Sequence, residues 1–170
     1  MTNTELVGTK RPSNPIVDKP IAGMSLSKAL KYKVELAGLM KETMTRLQAS
    51  NVYVEDTPPS YNSHEQLLLY VLAVDKMAVL KAAINTANAA VQEQIVKLRE
   101  LKGLVSAMRM LPCSGGMVQR YNPATSGYIE VKNVVTLSEL TRDVWVTSTQ
   151  AAINEIQEEL EEFNARTFLK

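Results

Sequence analysis

Between Pro59 and Pro112 the chain contains no proline and only one glycine, Gly103. Proline and glycine are the residues that most readily interrupt a helix, so this stretch predicts helix along most of its length. If residues 64–110 formed one helix, it would be about 70 Å long at roughly 1.5 Å per residue. A helix of that length needs other helices packed along it to be stable in water. The sequence therefore predicts a helical scaffold.

The residues before this stretch predict a first helix over about 25–50. Its seam positions recur in steps of four and three, which is typical of a heptad repeat, with one lysine in an apolar place. The predicted seam consists of Leu26, Leu30, Lys33, Ala37, Met40, Met44 and Leu47. Residues 51–62 are predicted as a loop, because Pro58 and Pro59 cannot continue a helix. Residues 63–66, Ser-His-Glu-Gln, have the form of a capping box that opens the next helix.

The proline-free stretch is not uniform along its length. Leu67–Val74 is apolar on every face, so we expect it to be buried on several sides. A narrower apolar stripe follows at Leu98, Leu101, Val105 and Met108. Residues 85–88, Asn-Thr-Ala-Asn, are the weakest point, since asparagine and threonine are poor helix formers. Two alternatives therefore stay open: one long helix, or two helices joined at a bend near Asn88.

The following part of the chain predicts a small β-hairpin at about 117–135. Two β-prone runs, Val118–Tyr121 and Tyr128–Val135, flank a turn that is rich in asparagine, proline, serine and glycine. Thr136–Glu139 has the form of a second capping box and opens a final helix that ends at about Asn164. The apolar stripe of that helix consists of Val146, Thr149, Ile153, Ile156, Leu160 and Phe163.

Together these patterns predict a mainly α protein, a long antiparallel helical hairpin or bundle of the coiled-coil type with the small β-hairpin inserted. We expect one helical domain over residues 25–170, preceded by an extended proline-rich arm, residues 1–24. Such an arm is either a disordered tail or a segment that a second subunit or a different partner holds in place. In the second case, Pro12, Pro15 and Pro20 are candidate assembly residues.

Charge and amide side chains suggest how the helices pair. Residues 25–50 carry five basic and two acidic side chains, whereas the final 21 residues carry two basic and five acidic ones. Complementary charges select partners in coiled coils, so the last helix is expected beside the first, within or between chains; two unrelated solvated faces are the alternative. Asn85, Asn88 and Asn164 are candidate assembly residues, because a buried amide fixes register. Three exposed asparagines are the alternative.

No pattern in the chain predicts a reaction. His64 is the only histidine and Cys113 the only cysteine, which argues against an internal disulfide, a zinc site and a histidine-dependent triad. The pair Gly115-Gly116 lacks the lysine of a phosphate loop. The glutamates of the final helix lack the histidines of a di-metal bundle. We therefore expect no catalytic residue, no cofactor and no metal site.

The totals restrict the remaining classes. The net charge is only +1, and the basic side of the first helix has no interleaved aromatic residue except Tyr32, so nucleic-acid binding is not expected. The longest apolar run, Leu67–Val74, is far shorter than the roughly 20 residues that span a bilayer. The N-terminal residues include Glu5 and no apolar run, which does not match a secretory signal. We expect a cytoplasmic or virion location.

Five short motifs follow one another along residues 25–170. They are Arg46-Leu47 leading to Asn51–Pro58, then Leu67-Leu68, Ile84–Asn88, Tyr128–Lys132 and Asn164–Leu169. In this order they resemble the septicolysin-like family of small uncharacterised bacterial and phage proteins. Ala87 and Ala165 stand where that family usually has threonine and tryptophan, and the arm is additional. The resemblance implies a helical, oligomer-forming protein without an established enzymatic activity.

We therefore expect a non-enzymatic structural or interaction protein that forms a homo-oligomer or joins a larger protein assembly. A phage virion component that decorates the capsid or is associated with the connector is one form of this expectation. The family label implies the alternative, a membrane-active, cytolysin-like pore-forming protein.

Overall fold

The computed structural model describes residues 12–170, and the fold is mainly helical. Its elements in chain order are α1 (Leu26–Ser50), α2 (Ser63–Asn88), α3 (Gln92–Arg109), β1 (Gly116–Asn122), β2 (Gly127–Asn133) and α4 (Glu139–Arg166). The predicted mainly α class with a small β-hairpin is confirmed. The first eleven residues of the predicted arm lie outside the described part of the chain.

The chain divides into two compact units. The first contains the described residues up to Ala90 together with Glu161–Lys170, and the second is Val91–Leu160. The predicted division into an arm and one helical domain over residues 25–170 stays a prediction, and the boundary at Ala90 falls inside that predicted domain.

The proline-free stretch forms two helices, which decides between the two alternatives for residues 64–110. A 3₁₀ turn, Ala89–Val91, separates α2 from α3 immediately after Asn88. The φ of Val91 is −123°, outside the helical region, and α3 begins without a side-chain cap. Thr86, in the last turn of α2, donates its hydroxyl to the Ala82 carbonyl over 3.1 Å. The low helix propensity of asparagine and threonine accounts for a break at this point.

The predicted seam of α1 is wrong by about one residue. Of the seven seam residues only Leu26 is buried, and Ala37 is exposed. The buried residues of the helix are Leu26, Ala29, Tyr32, Leu36, Leu39, Thr43 and Ser50. Three of them, Tyr32, Thr43 and Ser50, carry hydroxyl groups that a hydropathy pattern counts as polar. Thr43 can be buried because its hydroxyl donates to the Leu39 carbonyl over 2.7 Å, one turn earlier.

The two predicted capping boxes are also displaced. The N-cap of α2 is Asn62 instead of Ser63, and its side-chain oxygen accepts from the backbone N–H groups of His64 and Glu65 at 3.0 and 3.2 Å. An asparagine oxygen that accepts two such bonds satisfies two of the free donors at a helix start. At the start of α4 the hydroxyl of Ser138 accepts from the N–H of Thr141 at 3.1 Å. Ser138 therefore takes the role that the pattern gave to a residue two positions earlier.

The core of the first unit lies between α1, α2 and the two ends of the described chain. Its buried residues are Val17, Ile21, Leu26, Ala29, Tyr32, Leu36, Leu39, Leu69, Ala73, Met77, Leu80, Ile84 and Leu169. The α2 members recur in steps of four and three, so this helix buries a single stripe. The predicted burial of Leu67–Val74 on several sides holds in part: residues 68–73 are buried or partly buried, whereas Leu67 and Val74 are exposed. The rest of the first unit leaves the two ends of that apolar run open.

The described part of the arm packs on its own chain. Val17 and Ile21 are buried in the core of the first unit. The Tyr32 hydroxyl of α1 donates to the Ile16 carbonyl over 2.5 Å. The Lys19 ammonium lies 2.8 Å from a carboxylate oxygen of Glu35 and 5.0 Å from the centre of the Tyr32 ring. The arm therefore forms part of the fold from about Ile16 onward.

The segment before α1 also pairs with the end of the chain. The N–H of Gly23 donates to the Leu169 carbonyl, and the N–H of Leu169 donates to the Met24 carbonyl, both over 2.9 Å. The N–H of Leu26 donates to the Thr167 carbonyl over 2.7 Å. Gly23 has a φ of +76°, a conformation that side chains other than glycine rarely adopt. These bonds hold Leu169 in the core.

The burial of Tyr32 predicts an alkaline loss of stability. Burial raises the pKa of the Tyr32 phenol above its ordinary value of 10.0, with smaller contributions from the charges of Glu35 and Asp18. The folded protein then holds the phenol proton more tightly than the unfolded chain does. Its stabilising contribution is complete below pH 10.0 and is lost as pH rises through the folded pKa.

We therefore expect the unfolding free energy of the wild-type protein to fall above this pH more steeply than that of Tyr32→Phe. Urea unfolding followed by circular dichroism on both sides of pH 10.0 measures the difference. Tyr53→Phe removes an exposed phenol and serves as the control. Identical pH slopes for Tyr32→Phe and the wild-type protein would contradict the prediction.

Candidate interaction surface

The β-hairpin of the second unit is built around a well-defined turn. Strands β1 and β2 are antiparallel, with Gly116 opposite Asn133 and Asn122 opposite Gly127. The Asn122 side-chain oxygen accepts from the N–H of Ala124 at 3.0 Å, which forms an Asx turn. Ser126 has a φ of +50°, in the left-handed region that completes the reversal. The asparagine- and glycine-containing sequence thus folds as the predicted hairpin.

The Gly115-Gly116 pair has a structural role at the base of the hairpin. A Cβ atom at Gly115 would lie 3.0 Å from Cγ2 of Val135 and 3.1 Å from the Asn133 carbonyl oxygen. Gly116 has a φ of +130°, which is strained for any other residue. The two glycines therefore let the chain that enters β1 lie against the chain that leaves β2.

Both faces of the hairpin carry apolar side chains, and both are largely open. Along each strand successive side chains alternate between the two faces. One face carries three cross-strand pairs: Met117 with Lys132, Gln119 with Glu130, and Tyr121 with Tyr128. The other face pairs Val118 with Val131 and Arg120 with Ile129. The two tyrosine rings meet edge to face, with their centres 5.7 Å apart. Every residue of β1 and β2 is exposed or only partly buried.

Exposed apolar side chains also lie before β1 and after β2. We call residues 110–145, which include both strands, the hairpin region. No residue of this region is buried. It holds twelve of the twenty-three exposed large apolar side chains found among the described residues. They are Met110, Leu111, Met117, Val118, Tyr121, Tyr128, Ile129, Val134, Leu137, Leu140, Val144 and Trp145. More than half of the exposed apolar side chains therefore lie on 36 consecutive residues, about a fifth of the chain.

Ion pairs fix the first turn of α4, at the end of the hairpin region. The Arg142 guanidinium donates to Glu139 over 2.9 Å and to Asp143 over 2.8 Å. The hydrogen bonds to Asp143 and Glu139 raise the pKa of Arg142, and Cys113 adds a smaller contribution. The loop that contains Cys113 therefore lies near this turn. The polar side of the turn is occupied by these contacts, while Leu140, Val144 and Trp145 stay exposed.

The core of the second unit lies outside the hairpin region. Val105 of α3 and the α4 residues Thr149, Ile153 and Ile156 are buried. A cleft of about 350 Å³ lies between α3 and α4. It is lined by Lys102, Val105, Ser106, Arg109, Met110, Gln150, Ile153 and Gln157. The four buried residues belong to the predicted stripes of α3 and α4, whereas only Val105 and Ile153 of the cleft lining do.

The six predicted assembly residues all belong to the first unit, and they differ in exposure. Asn85 is exposed, whereas Asn88 and Asn164 are partly buried. Pro15 and Pro20 are exposed and Pro12 is partly buried. Their roles in assembly stay predictions. The exposed hairpin region is the feature that sequence analysis missed, although apolar residues on both faces of two short strands were a visible signal.

Two properties of residues 12–170 bear on the kind of site. The His, Cys, Asp and Glu side chains of this part of the chain form no group of three or more that could hold a metal ion. None of its helices combines the length and the hydropathy required to cross a bilayer.

Comparison with protein-family models, with curated proteins and with solved structures found no match to this chain. The resemblance to the septicolysin-like family therefore stays a prediction.

Proposed function

We propose that this chain is a non-enzymatic structural or interaction protein whose hairpin region is covered by another protein in the assembled state. The observation that carries the proposal is the concentration of exposed apolar side chains on residues 110–145. Large exposed apolar patches on a folded protein mark interaction surfaces. A two-stranded hairpin is marginally stable unless another element covers it, and this hairpin contains no buried residue.

The exposed area is sufficient for a stable interface. Burying a large aliphatic side chain stabilises a protein by about 1.5–3 kcal/mol, which corresponds to roughly 60–120 Å² of apolar surface at about 25 cal/mol per Å². An aromatic side chain buries about 150–250 Å². The twelve side chains of the hairpin region are 37–79% exposed, which leaves on the order of 800 Å² open. A standard protein interface buries about 800 Å² on each partner. A partner that encloses the hairpin region on both faces could therefore bury an area of this size.

The helices of the first unit support the same proposal. Leu67, Val74 and Val79 of α2 are exposed on a helix whose other side is buried, and Val34 of α1 is exposed as well. We propose that α1 and α2 form an antiparallel hairpin whose open faces complete a coiled-coil-like bundle in a homo-oligomer or a larger assembly. A virion component, such as a capsid-decorating or connector-associated protein, is the form of assembly we favour. The arm and the amides of Asn85, Asn88 and Asn164 would contribute to it.

Mass measurement tests the proposal. We expect native mass spectrometry and light scattering to show an oligomer, or a defined protein complex after purification from the natural source. The double substitution Val134→Ser and Leu140→Ser should shift this species toward the monomer, because it makes two of the most exposed apolar positions polar. Val52→Ser with Val54→Ser changes two equally exposed residues of the loop between α1 and α2 and should leave the mass unchanged.

Two outcomes would count against assembly through the hairpin region. One is a wild-type protein that stays monomeric at all concentrations and is recovered without a partner. The other is an oligomer that the loop pair and the hairpin pair of substitutions weaken equally. Dye release from liposomes by the wild-type protein would instead support the alternative, a membrane-active protein of the cytolysin type.

A further inference from the structure

The outer edge of β2 is available for pairing. The sheet of the second unit has two strands, and β2 pairs on one side with β1. Among the described residues no strand lies along its other side. An edge of this kind presents backbone N–H and C=O groups that can bind a further strand. Tyr128 and Val134, near the two ends of this edge, are 72% and 78% exposed.

The charges along this edge are not matched across the hairpin. Glu130 and Lys132 lie on the same face of β2, on either side of Val131. Their cross-strand neighbours in β1 are Gln119 and Met117, which are uncharged. Both charged side chains are exposed. An incoming strand could therefore pair with one negative and one positive group in a fixed order.

The β2 strand of a second copy carries its two charged side chains in the order that this edge requires. When two copies of β2 run antiparallel with Val131 opposite Val131, Glu130 of each copy lies opposite Lys132 of the other. In the same register Tyr128 faces Val134 of the second copy. The twofold axis that relates the two copies then passes through Val131. If it passed through Glu130 or Lys132 instead, two glutamates or two lysines would lie opposite each other, which is unfavourable. The β1 strand has a single charged residue, Arg120, and so cannot form two symmetric pairs of opposite charge with a second copy, which makes the edge of β2 the self-complementary one.

We propose that two copies of this chain associate through β2, forming a four-stranded antiparallel sheet around a twofold axis at Val131. The inference rests on the proposed assembly function and names its partner as a second copy. Two symmetric Glu130–Lys132 pairs fix the register, and backbone hydrogen bonds between the edges supply the continuity of the sheet. The pairing also covers the edge that would otherwise bind other chains.

Charge reversal provides the first test. Glu130→Lys or Lys132→Glu alone turns both symmetric contacts of the homodimer into like-charge pairs, so each variant should dimerise roughly tenfold more weakly or worse. The double variant E130K/K132E restores opposite charges and should recover the dimer. An equimolar mixture of the two single variants should form the heterodimer, because each lysine then faces a glutamate. Analytical ultracentrifugation and native mass spectrometry measure all four cases.

Cross-linking provides the second test and does not depend on charge. Directly opposed residues of antiparallel strands have Cα atoms about 4.5–5.5 Å apart, within the range of a disulfide. In a Cys113→Ser background, Val131→Cys should therefore form a disulfide-linked dimer under mild oxidation. Tyr128→Cys is the matched control on the same strand. In the proposed register two copies of position 128 are about 20 Å apart at roughly 3.3 Å per residue, so this variant should not cross-link to itself.

The outcomes separate this inference from the proposed function. A wild-type oligomer that neither single charge reversal weakens, or equal cross-linking at positions 128 and 131, would overturn pairing through β2 and leave assembly intact. A monomeric wild-type protein recovered without any partner would overturn both. Recovery in the double variant and in the mixture, together with cross-linking at 131 alone, establishes the proposed register. Circular dichroism of each variant checks that the chain is folded.

Discussion

Replacing Leu36 by alanine is expected to lower the unfolding free energy by about 2–5 kcal/mol, the largest effect of any truncation we propose. The Leu36 side chain is 0% exposed and lies in the middle of α1, between Tyr32 and Leu39 in the core of the first unit. Its removal loses apolar burial and leaves a cavity that the surrounding helices can fill only in part. Urea unfolding followed by circular dichroism measures the change.

The matched control is Val34→Ala on the same helix. Val34 is 70% exposed, so its truncation should change the unfolding free energy by no more than about 0.5 kcal/mol. Equal losses for Leu36→Ala and Val34→Ala would mean that the buried stripe of α1 is assigned to the wrong face. The pair therefore tests the corrected seam directly, in which Leu36 replaces its predicted neighbour Ala37.

Truncating Leu169 to alanine is expected to cost about 2–4 kcal/mol, although the residue lies next to the last one in the sequence. Its side chain is 3% exposed and belongs to the core formed by α1, α2 and the arm. Its backbone both donates to Met24 and accepts from Gly23. Loss of the side-chain anchor should therefore also loosen this backbone pairing.

Thermal unfolding measures the stability change, and amide hydrogen exchange at Gly23 and Leu169 measures the loosening. Phe168→Ala provides the comparison, because the neighbouring ring is 61% exposed and its removal should have a small effect. Unchanged exchange at Gly23 in Leu169→Ala would show that the terminal pairing does not depend on the buried leucine.

Local chemistry explains which parts of the fold the sequence predicts. The helices and the hairpin follow from the positions of prolines and glycines and from β-prone runs, and their observed limits lie close to those expected. The seam of α1 was misplaced because Tyr32 and Thr43 are buried through hydrogen bonds to backbone carbonyls. Hydropathy counts such residues as polar, so a heptad pattern selects the neighbouring positions instead.

The exposed surfaces were harder to predict for a different reason. Apolar character shows that a side chain favours burial, but it does not show whether the same chain supplies the cover. Leu67 and Val74 illustrate the point on α2, and Val134 and Leu140 illustrate it in the hairpin region. Each was predicted from sequence as part of an apolar run or an element, and each is exposed in the folded chain. Only the tertiary arrangement separates core from interface.

The pairing of residues 23–26 with residues 167–169 has a consequence for synthesis. The core of the first unit needs Leu169, which leaves the ribosome after the whole of Val91–Leu160. The second unit can therefore fold while the first still lacks its closing residue. Closing a loop of this length adds an entropic cost that grows only slowly with the number of residues enclosed. The part of the chain made first therefore cannot complete its core until the rest of the chain has been made.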